Sequence, residues 1–263
     1  MNAPDEVLSA AASDLDQGEA MAALERLEPY QEDADACLLL SEALLALGEV
    51  PMSLQAFEKA SSALDPEQPD VIWMSAELHL ASWSLELAIE EYQRYLALEP
   101  SVGAHMRLAL AYDALGQFDH ADAQEKQALA LEPELEALVR LTESEFDATV
   151  EAALADLRRT HPIEVERVFI ATEPMPHRGM IDPSLPHATP PDLLGLFSGP
   201  TLADLADTPG AELPPTIHLF QRNLERMGLP GDELRAEIRT TLFHEFGHLL
   251  GLDEEGVAAL GLA

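Results

Sequence analysis

The sequence is poor in basic residues and in cysteine. Its 263 residues include 14 Lys and Arg against 49 Asp and Glu, which gives a formal net charge of −35. With so few cations the chain offers no basic patch to neutralise phosphates, which argues against a nucleic-acid partner. The single cysteine, Cys37, excludes internal disulfides and a zinc site built from thiolates.

Long hydrophobic runs are also missing. The first 20 residues, MNAPDEVLSAAASDLDQGEA, have neither the basic start nor the apolar core of a signal peptide. No stretch approaches the length of a membrane span. We therefore expect a soluble, cytoplasmic protein without a membrane partner. Aromatic residues are scarce at 5%, but the hydrophobic fraction of 47% can fill the cores of two small domains.

The first half of the chain repeats. Three segments, SLQAFEKASSALDP, AIEEYQRYLALEP and ADAQEKQALALEP, end at Pro66, Pro100 and Pro133, which are 34 and 33 residues apart. This period is typical of a solenoid of helix pairs. Each segment has apolar residues at helical spacing and ends at a proline, which cannot continue a helix. An earlier segment, LDQGEAMAALERLEP, is interpreted as a degenerate first repeat.

A partner helix precedes each of these segments, and Gly48 and Gly116 fit the ends of two of them. Residues 1–136 thus resemble tetratricopeptide repeats, although ASWS at 81–84 replaces the usual Leu-Gly. The best matches to the repeat pattern are Leu108, Ala109, Tyr112, Ala121, Ala128 and Pro133. The resemblance implies an all-α solenoid that binds a protein or peptide partner. The alternative is a scaffold that only supports the rest of the chain or makes a dimer. The aromatic residues Trp73, Trp83, Tyr92 and Tyr95 are interpreted as packing residues.

The pattern changes at about Leu141. TESEFDATVEAALADLRR predicts a helix with Thr142 and Glu145 forming a capping box. VERVFIATE and PTIHLFQRN predict strands, separated by a proline-rich stretch, 174–215, which we interpret as an ordered loop. The final predicted helix, DELRAEIRTTLFHEFGHLLG, begins at an Asp232 cap and ends at Gly251. We expect a second, α+β domain at 141–263.

The last helix carries the residues of a metal site. His244 and His248 are four residues apart, so they share one helix face and both can reach one Zn²⁺. Glu245 flanks the ion without binding it and could take a proton from a water molecule that the metal activates. Gly247 is expected to leave room beside the metal.

The third zinc ligand is less well defined. Past Gly251 the candidates are Asp253, Glu254 and Glu255. Glu254 occupies the position that a histidine fills in metzincins, so it is the preferred ligand and Asp253 is the runner-up. An upstream ligand, His218 or His187, is the remaining possibility.

Residues 141–263 resemble the minimal zincin-like metallopeptidase domains of bacteria. The matching segments include VFIATEP, PPDLLGLFSGP, TIHLFQRNLER and ELRAEIRTTLFHEFGHLLGLDEE. The resemblance implies an α+β zincin-like fold and zinc-dependent peptide hydrolysis. Two alternatives stay open: an interaction protein whose zinc domain is catalytically idle, and a metal-dependent hydrolase of a non-peptide bond. All four tyrosines precede residue 137, so oxyanion stabilisation must come from an arginine, the zinc itself or a histidine. The candidate histidines are His161, His177, His187 and His218.

Overall fold

The chain forms two compact units in the computed structural model, which describes residues 2–181, 189–207, 214–253 and 256–257. Unit 1 comprises Met1–Glu134 and His177–Pro191, and unit 2 comprises Leu135–Pro176 and Asp192–Ala263. The domain limits predicted from the sequence, 1–136 and 141–263, remain a proposal. They differ from the units mainly in assigning 177–191 to the second domain. No described helix is both long and apolar enough to cross a membrane.

Unit 1 is a succession of helix pairs, as the 33- to 34-residue period predicts. Its described helices are α1 (Asp5–Asp16), α2 (Ala20–Leu27), α3 (Ala34–Ala46), α4 (Val50–Ser61), α5 (Pro69–Ala81), α6 (Leu85–Leu98), α7 (Val102–Ala114) and α8 (Phe118–Leu131). Small residues, among them Ala60, Ala76, Ala109 and Ala128, are buried where the helices approach each other. The all-α solenoid is confirmed, and α1 and α2 are the degenerate first repeat.

The turn inside each pair needs a backbone with positive φ. Gly18, Gly48 and Gly116 adopt φ values of 77°, 77° and 73° after α1, α3 and α7, which confirms Gly48 and Gly116 as helix ends. After α5 the same position is Trp83, with φ 57°. A bulky residue in this region is a backbone outlier, because its Cβ crowds the following carbonyl oxygen.

Unit 2 begins with α9 (Glu143–Thr160), whose first turn confirms the predicted capping box. The Glu145 backbone N–H donates to Thr142 Oγ1 at 3.3 Å, and the Thr142 N–H donates to Glu145 Oε2 at 2.8 Å. These bonds satisfy donors that a helix start leaves without an internal partner. The Thr142 N–H holds the pKa of the Glu145 carboxyl below its usual range, and the Thr142 hydroxyl, which donates to the same Oε2 at 2.7 Å, lowers it further.

A three-stranded sheet follows, with the strands β1 (Phe169–Glu173), β2 (Gly195–Ser198) and β3 (Thr216–Phe220) in the order β1-β3-β2. The central strand β3 is parallel to β1 and antiparallel to β2. Short helices accompany these strands: α10 (Pro162–Val165), α11 (Leu202–Asp207) and α12 (Gln221–Arg226). The chain then enters α13 (Gly231–Leu249), which packs with α9, β2 and β3 around the core of unit 2.

Two predictions about unit 2 were wrong in detail. The stretch 174–215, expected to be irregular, contains β2 and α11. Asp232 does not cap α13, because the helix begins one residue earlier, at Gly231, and Pro230 occupies the capping position without a side-chain hydrogen bond. A proline N-terminal to a helix start is compatible with the helix, since the first N–H groups have no partner within it.

Candidate metal centre

Helix α13 positions the predicted metal-site residues. Its core face consists of Leu234, Ile238, Leu242 and Leu249, all fully buried. Because side chains three or four residues apart share a helix face, this apolar stripe fixes the rotation of the helix against the sheet. The orientation of the residues between Leu242 and Leu249 is therefore set by core packing.

The two histidines of this helix lie side by side. Nε2 of His244 is 3.1 Å from Nε2 of His248, and the rings are inclined at 81°. Two nitrogens bound at 2.0–2.1 Å to one tetrahedral zinc ion would lie about 3.3 Å apart. The observed spacing fits a shared Zn²⁺ with an adjustment of a few tenths of an ångström.

The backbone that follows α13 orients His248. Gly251, at φ 86°, ends the helix as predicted, and Leu252 N donates back to the Gly247 carbonyl at 3.2 Å. This reversal places the Leu252 carbonyl oxygen 3.0 Å from His248 Nδ1. With Nδ1–H donating to that carbonyl, the neutral imidazole carries its lone pair on Nε2, the atom that faces His244.

Glu245 is almost completely buried, with 8% of its surface exposed. It lies against Gly195, the first residue of β2. A Cβ atom at Gly195 would come within 2.9 Å of Glu245 Cγ, 3.0 Å of Glu245 Oε1 and 2.8 Å of Thr241 Cγ2. Such distances are shorter than real Cβ contacts, so β2 can approach Glu245 this closely only with glycine at 195. Sequence reasoning missed this role of Gly195.

Gly247 has a role that the sequence does not predict. A Cβ atom there would lie 2.7 Å from Val257 Cγ2, and Val257 is fully buried. The glycine makes room for Val257, which belongs to the chain after the helix. Room for a metal beside Gly247 stays a prediction.

Asp253, the runner-up ligand, makes a local backbone contact. Its Oδ1 accepts a hydrogen bond from Gly256 N at 2.9 Å, and its carbonyl oxygen accepts one from Val257 N at 2.9 Å. Glu254, the preferred third ligand, lies outside the described residues. Within the described part of the chain, no cluster of three or more His, Cys, Asp or Glu residues suited to a metal is found.

His218 lies on the other face of the sheet from Glu245. Gly195, which touches Glu245, pairs with Leu219, so the neighbouring His218 projects in the opposite direction. Its Nδ1 lies 3.0 Å from Glu173 Oε1 and its Nε2 lies 3.0 Å from Ser198 Oγ. These bonds join the three strands and direct His218 away from the histidine pair on α13.

Two of the other candidate histidines, His161 and His177, have contacts that the structure describes. The ring of His161 lies 5.4 Å from the ring of Phe246, the neighbour of Glu245, and the two rings are inclined at 53°. His177, in unit 1, accepts a hydrogen bond from Gly179 N through Nδ1 at 3.1 Å. His187 lies outside the described residues.

Comparison with known proteins agrees with this interpretation of unit 2. Residues 165–262 match the family model described as zincin-like metallopeptidase. The segment contains β1, β2, β3 and α13, and with them His244, Glu245 and His248. The resemblance expected from the sequence is confirmed, and so is the α+β zincin-like fold that follows the solenoid.

The solved structures that resemble the chain include a TPR protein. TTC0263, a thermophilic TPR protein of Thermus thermophilus, has 22% identity and a TM-score of 0.44, over 62% of this chain and 94% of its own. MamA has 23% identity and a TM-score of 0.40, over 49% and 77%. A second MamA structure, from AMB-1, has 22% identity and a TM-score of 0.41, over 61% and 84%. These likenesses concern the fold alone. Among curated proteins, none matches the chain.

Proposed function

We propose that unit 2 is a zinc-dependent peptidase in which His244, His248 and Glu254 hold the metal and Glu245 is the general base. The observation that carries this proposal is the approach of the two Nε2 atoms to 3.1 Å, on the helix turn that also bears Glu245. The tautomer of His248 that the Leu252 carbonyl selects is the one that a metal requires.

Zinc bound here would supply Lewis acidity, which lets a water molecule act as a nucleophile near neutral pH. Glu245 is next to His244 in sequence and buried against β2, so it has little freedom to move away. Its carboxylate would accept a proton from the attacking water and pass it to the leaving amine. Gly195 supports this role by letting the strand hold the Glu245 side chain in place.

Unit 1 would bring a protein substrate to this chemistry. Solenoids of helix pairs present an extended concave surface that suits a polypeptide partner. The competing function is an adaptor whose zinc domain is idle. A buried glutamate beside the histidine pair favours the enzyme, because burying an ionisable group costs free energy that an idle domain has no need to spend.

The deciding experiment compares the full-length chain with Glu245→Gln. Purified wild type should contain about one zinc per chain and should cleave peptides in a proteolysis screen. Glu245→Gln should keep the zinc and lose turnover, because the amide cannot accept the proton. A Glu245→Gln protein that cleaves as fast as wild type would contradict the mechanism. Zinc in the wild type without any cleavage would favour the adaptor.

A further inference from the structure

A cavity of about 540 Å³ lies among the first helices of the repeats in unit 1. It combines carboxylates with aromatic and apolar walls. The lining residues that matter here are Glu42, Asp70, Trp73, Met74, Tyr95 and Ser101. The sequence predicts only a packing role for Trp73 and Tyr95, yet both are half-buried and form part of this wall.

The two carboxylates of the cavity have no cation beside them. Within the described part of unit 1, neither Glu42 nor Asp70 makes a side-chain hydrogen bond or an ion pair, and no Lys or Arg lines the cavity. Glu42 and Asp70 are both exposed at the mouth of the cavity. The protein packed around the Glu42 carboxyl nevertheless raises its pKa by desolvation, and the neighbouring carboxylates Asp16, Asp70 and Glu77 raise it further. An added positive charge would therefore stabilise this group.

The next repeat contains the cation that is missing here. Glu77, the ninth residue of α5, accepts a hydrogen bond from Arg107 Nε at 2.8 Å and forms an ion pair with the same guanidinium. Arg107 is the sixth residue of α7. One repeat earlier, the ninth residue of α3 is Glu42 and the sixth residue of α5 is Met74. The same carboxylate position thus faces a methionine.

The walls of the cavity suit a planar cation. The rings of Trp73 and Tyr95 are 5.3 Å apart and inclined at 58°, and Met74 adds a polarisable thioether nearby. A guanidinium stacks on aromatic faces and pairs with a carboxylate through two parallel N–H groups. A hard divalent ion fits less well, since Ca²⁺ requires six to eight oxygen ligands.

We propose that this cavity binds an arginine side chain of a partner polypeptide, in the way that Glu77 binds Arg107 within the chain. The proposal gives a chemistry to the partner that unit 1 is proposed to recruit, and it rests on that part of the proposed function. It does not depend on zinc or on peptide hydrolysis.

The first test is a binding titration with the full-length Glu245→Gln chain, so that cleavage cannot interfere. The probe is the end-blocked peptide Ala-Ala-Arg-Ala-Ala, and the control peptide has citrulline, which is uncharged, in place of arginine. Isothermal titration at physiological salt should show saturable binding of the arginine peptide only. Equal binding of both peptides, or no saturable binding of either, would overturn the proposal. Displacement of the peptide by stoichiometric Ca²⁺ would assign the cavity to a metal ion and also overturn it.

Variants then locate the site. Glu42→Gln and Asp70→Asn should each weaken binding of the arginine peptide at least about tenfold. Glu58→Gln is the matched control, because Glu58 is exposed on α4 and does not line the cavity. If all three variants weaken binding equally, the peptide is responding only to the net charge of the chain, which contradicts the proposed site.

A further variant imitates the next repeat. Met74→Arg would place a guanidinium where Arg107 stands one repeat later, and should abolish peptide binding by occupying the cavity. Met74→Leu is its control and should bind the peptide as before. Unchanged peptide binding by a folded Met74→Arg protein would contradict the proposed position of the site.

Discussion

The indole Nε1 of Trp83 donates a hydrogen bond of 2.7 Å to the carbonyl oxygen of Thr189, 106 residues later in the chain. The Trp83 carbonyl in turn accepts a bond of 3.0 Å from Arg178 Nη2. Both partners belong to the segment His177–Pro191, which is part of unit 1. The tryptophan that stands after α5, where the turns after α1, α3 and α7 have glycine, therefore helps to attach this segment.

Trp83→Gly should destabilise unit 1 even though it restores the residue that the backbone prefers. Relief of the positive φ contributes about 1–2 kcal/mol, but loss of a buried tryptophan costs about 3–5 kcal/mol. We expect the free energy of unfolding to fall by about 2 kcal/mol, measured in urea with the fluorescence of Trp73 as reporter.

Trp83→Phe is the control for the hydrogen bond, since it keeps a buried ring but removes the N–H. It should cost about 1 kcal/mol. If Trp83→Gly is as stable as wild type, the buried indole and its hydrogen bond to Thr189 make no net contribution to the free energy of unfolding.

Zinc content should distinguish the α13 histidines from the histidine on β3. His248→Ala should lose the metal, because one of the two facing nitrogens disappears. His218→Ala should retain it, since His218 projects from the opposite face of the sheet. Metal analysis of the purified, folded variants is the measurement. Loss of zinc in His218→Ala alone would restore the upstream-ligand alternative.

Gly251→Ala should weaken zinc binding without changing any ligand. A Cβ atom at Gly251 meets nothing within 4 Å, so the only effect is strain at φ 86°. That strain displaces the Leu252 carbonyl from His248, and loss of such a supporting bond costs about 10–100-fold in metal affinity. Gly48→Ala is the control, because it has a similar φ of 77° and open surroundings but lies in unit 1. If both variants bind zinc as tightly as wild type, the carbonyl does not support the site.

Gly195→Ala should lower turnover while zinc remains bound. The added methyl group would overlap Glu245 Cγ and Thr241 Cγ2, so the carboxylate must shift, and small displacements of a catalytic group cost up to about 100-fold in rate. Gly103→Ala is the control, since its nearest neighbour would be Ser101 Oγ at 3.7 Å. Peptidase rate and zinc content are measured together, and an unchanged rate would show that Glu245 tolerates the methyl group.

The third ligand is tested by comparing Glu254→Ala with Asp253→Ala. Glu254→Ala should release zinc to a chelator more readily, because a ligand to the ion is lost. Asp253→Ala should have a smaller effect, because its Oδ1 already accepts from Gly256 N. If Asp253→Ala releases zinc more readily than Glu254→Ala, then Asp253 is the third ligand, and the proposed role of Glu245 is unaffected.

The features that the sequence predicts well are those with a local cause. Pro100 and Pro133 follow the ends of α6 and α8 by two residues, although α4 already ends at Ser61, before Pro66. Thr142 and Glu145 form their capping box within one turn. His244 and His248 face each other because four residues make about one helical turn. Each of these follows from spacing along the chain, so no knowledge of the tertiary structure is needed.

The features that it missed depend on distant contacts. LLGLF is an apolar run without alternation, bounded by prolines, so the strand β2 could not be told from a covering loop. The need for glycine at 195 appears only when Glu245, far along the chain, packs against it. In the sequence, Trp83 is likewise only a departure from the repeat pattern. Its role becomes visible in the structure, where its indole contacts Thr189.

The placement of His177–Pro191 in unit 1 has a practical consequence for expressing the two units as separate fragments. The chain passes between the units three times, after Glu134, after Pro176 and after Pro191. A fragment that starts near residue 141 would keep the segment 177–191 but would lack the helices of unit 1 with which this segment is grouped. A single proteolytic nick after Glu134 would likewise yield two pieces that still copurify, held by the Trp83 and Arg178 hydrogen bonds. Fragments intended to work in isolation therefore need 177–191 replaced by a short linker.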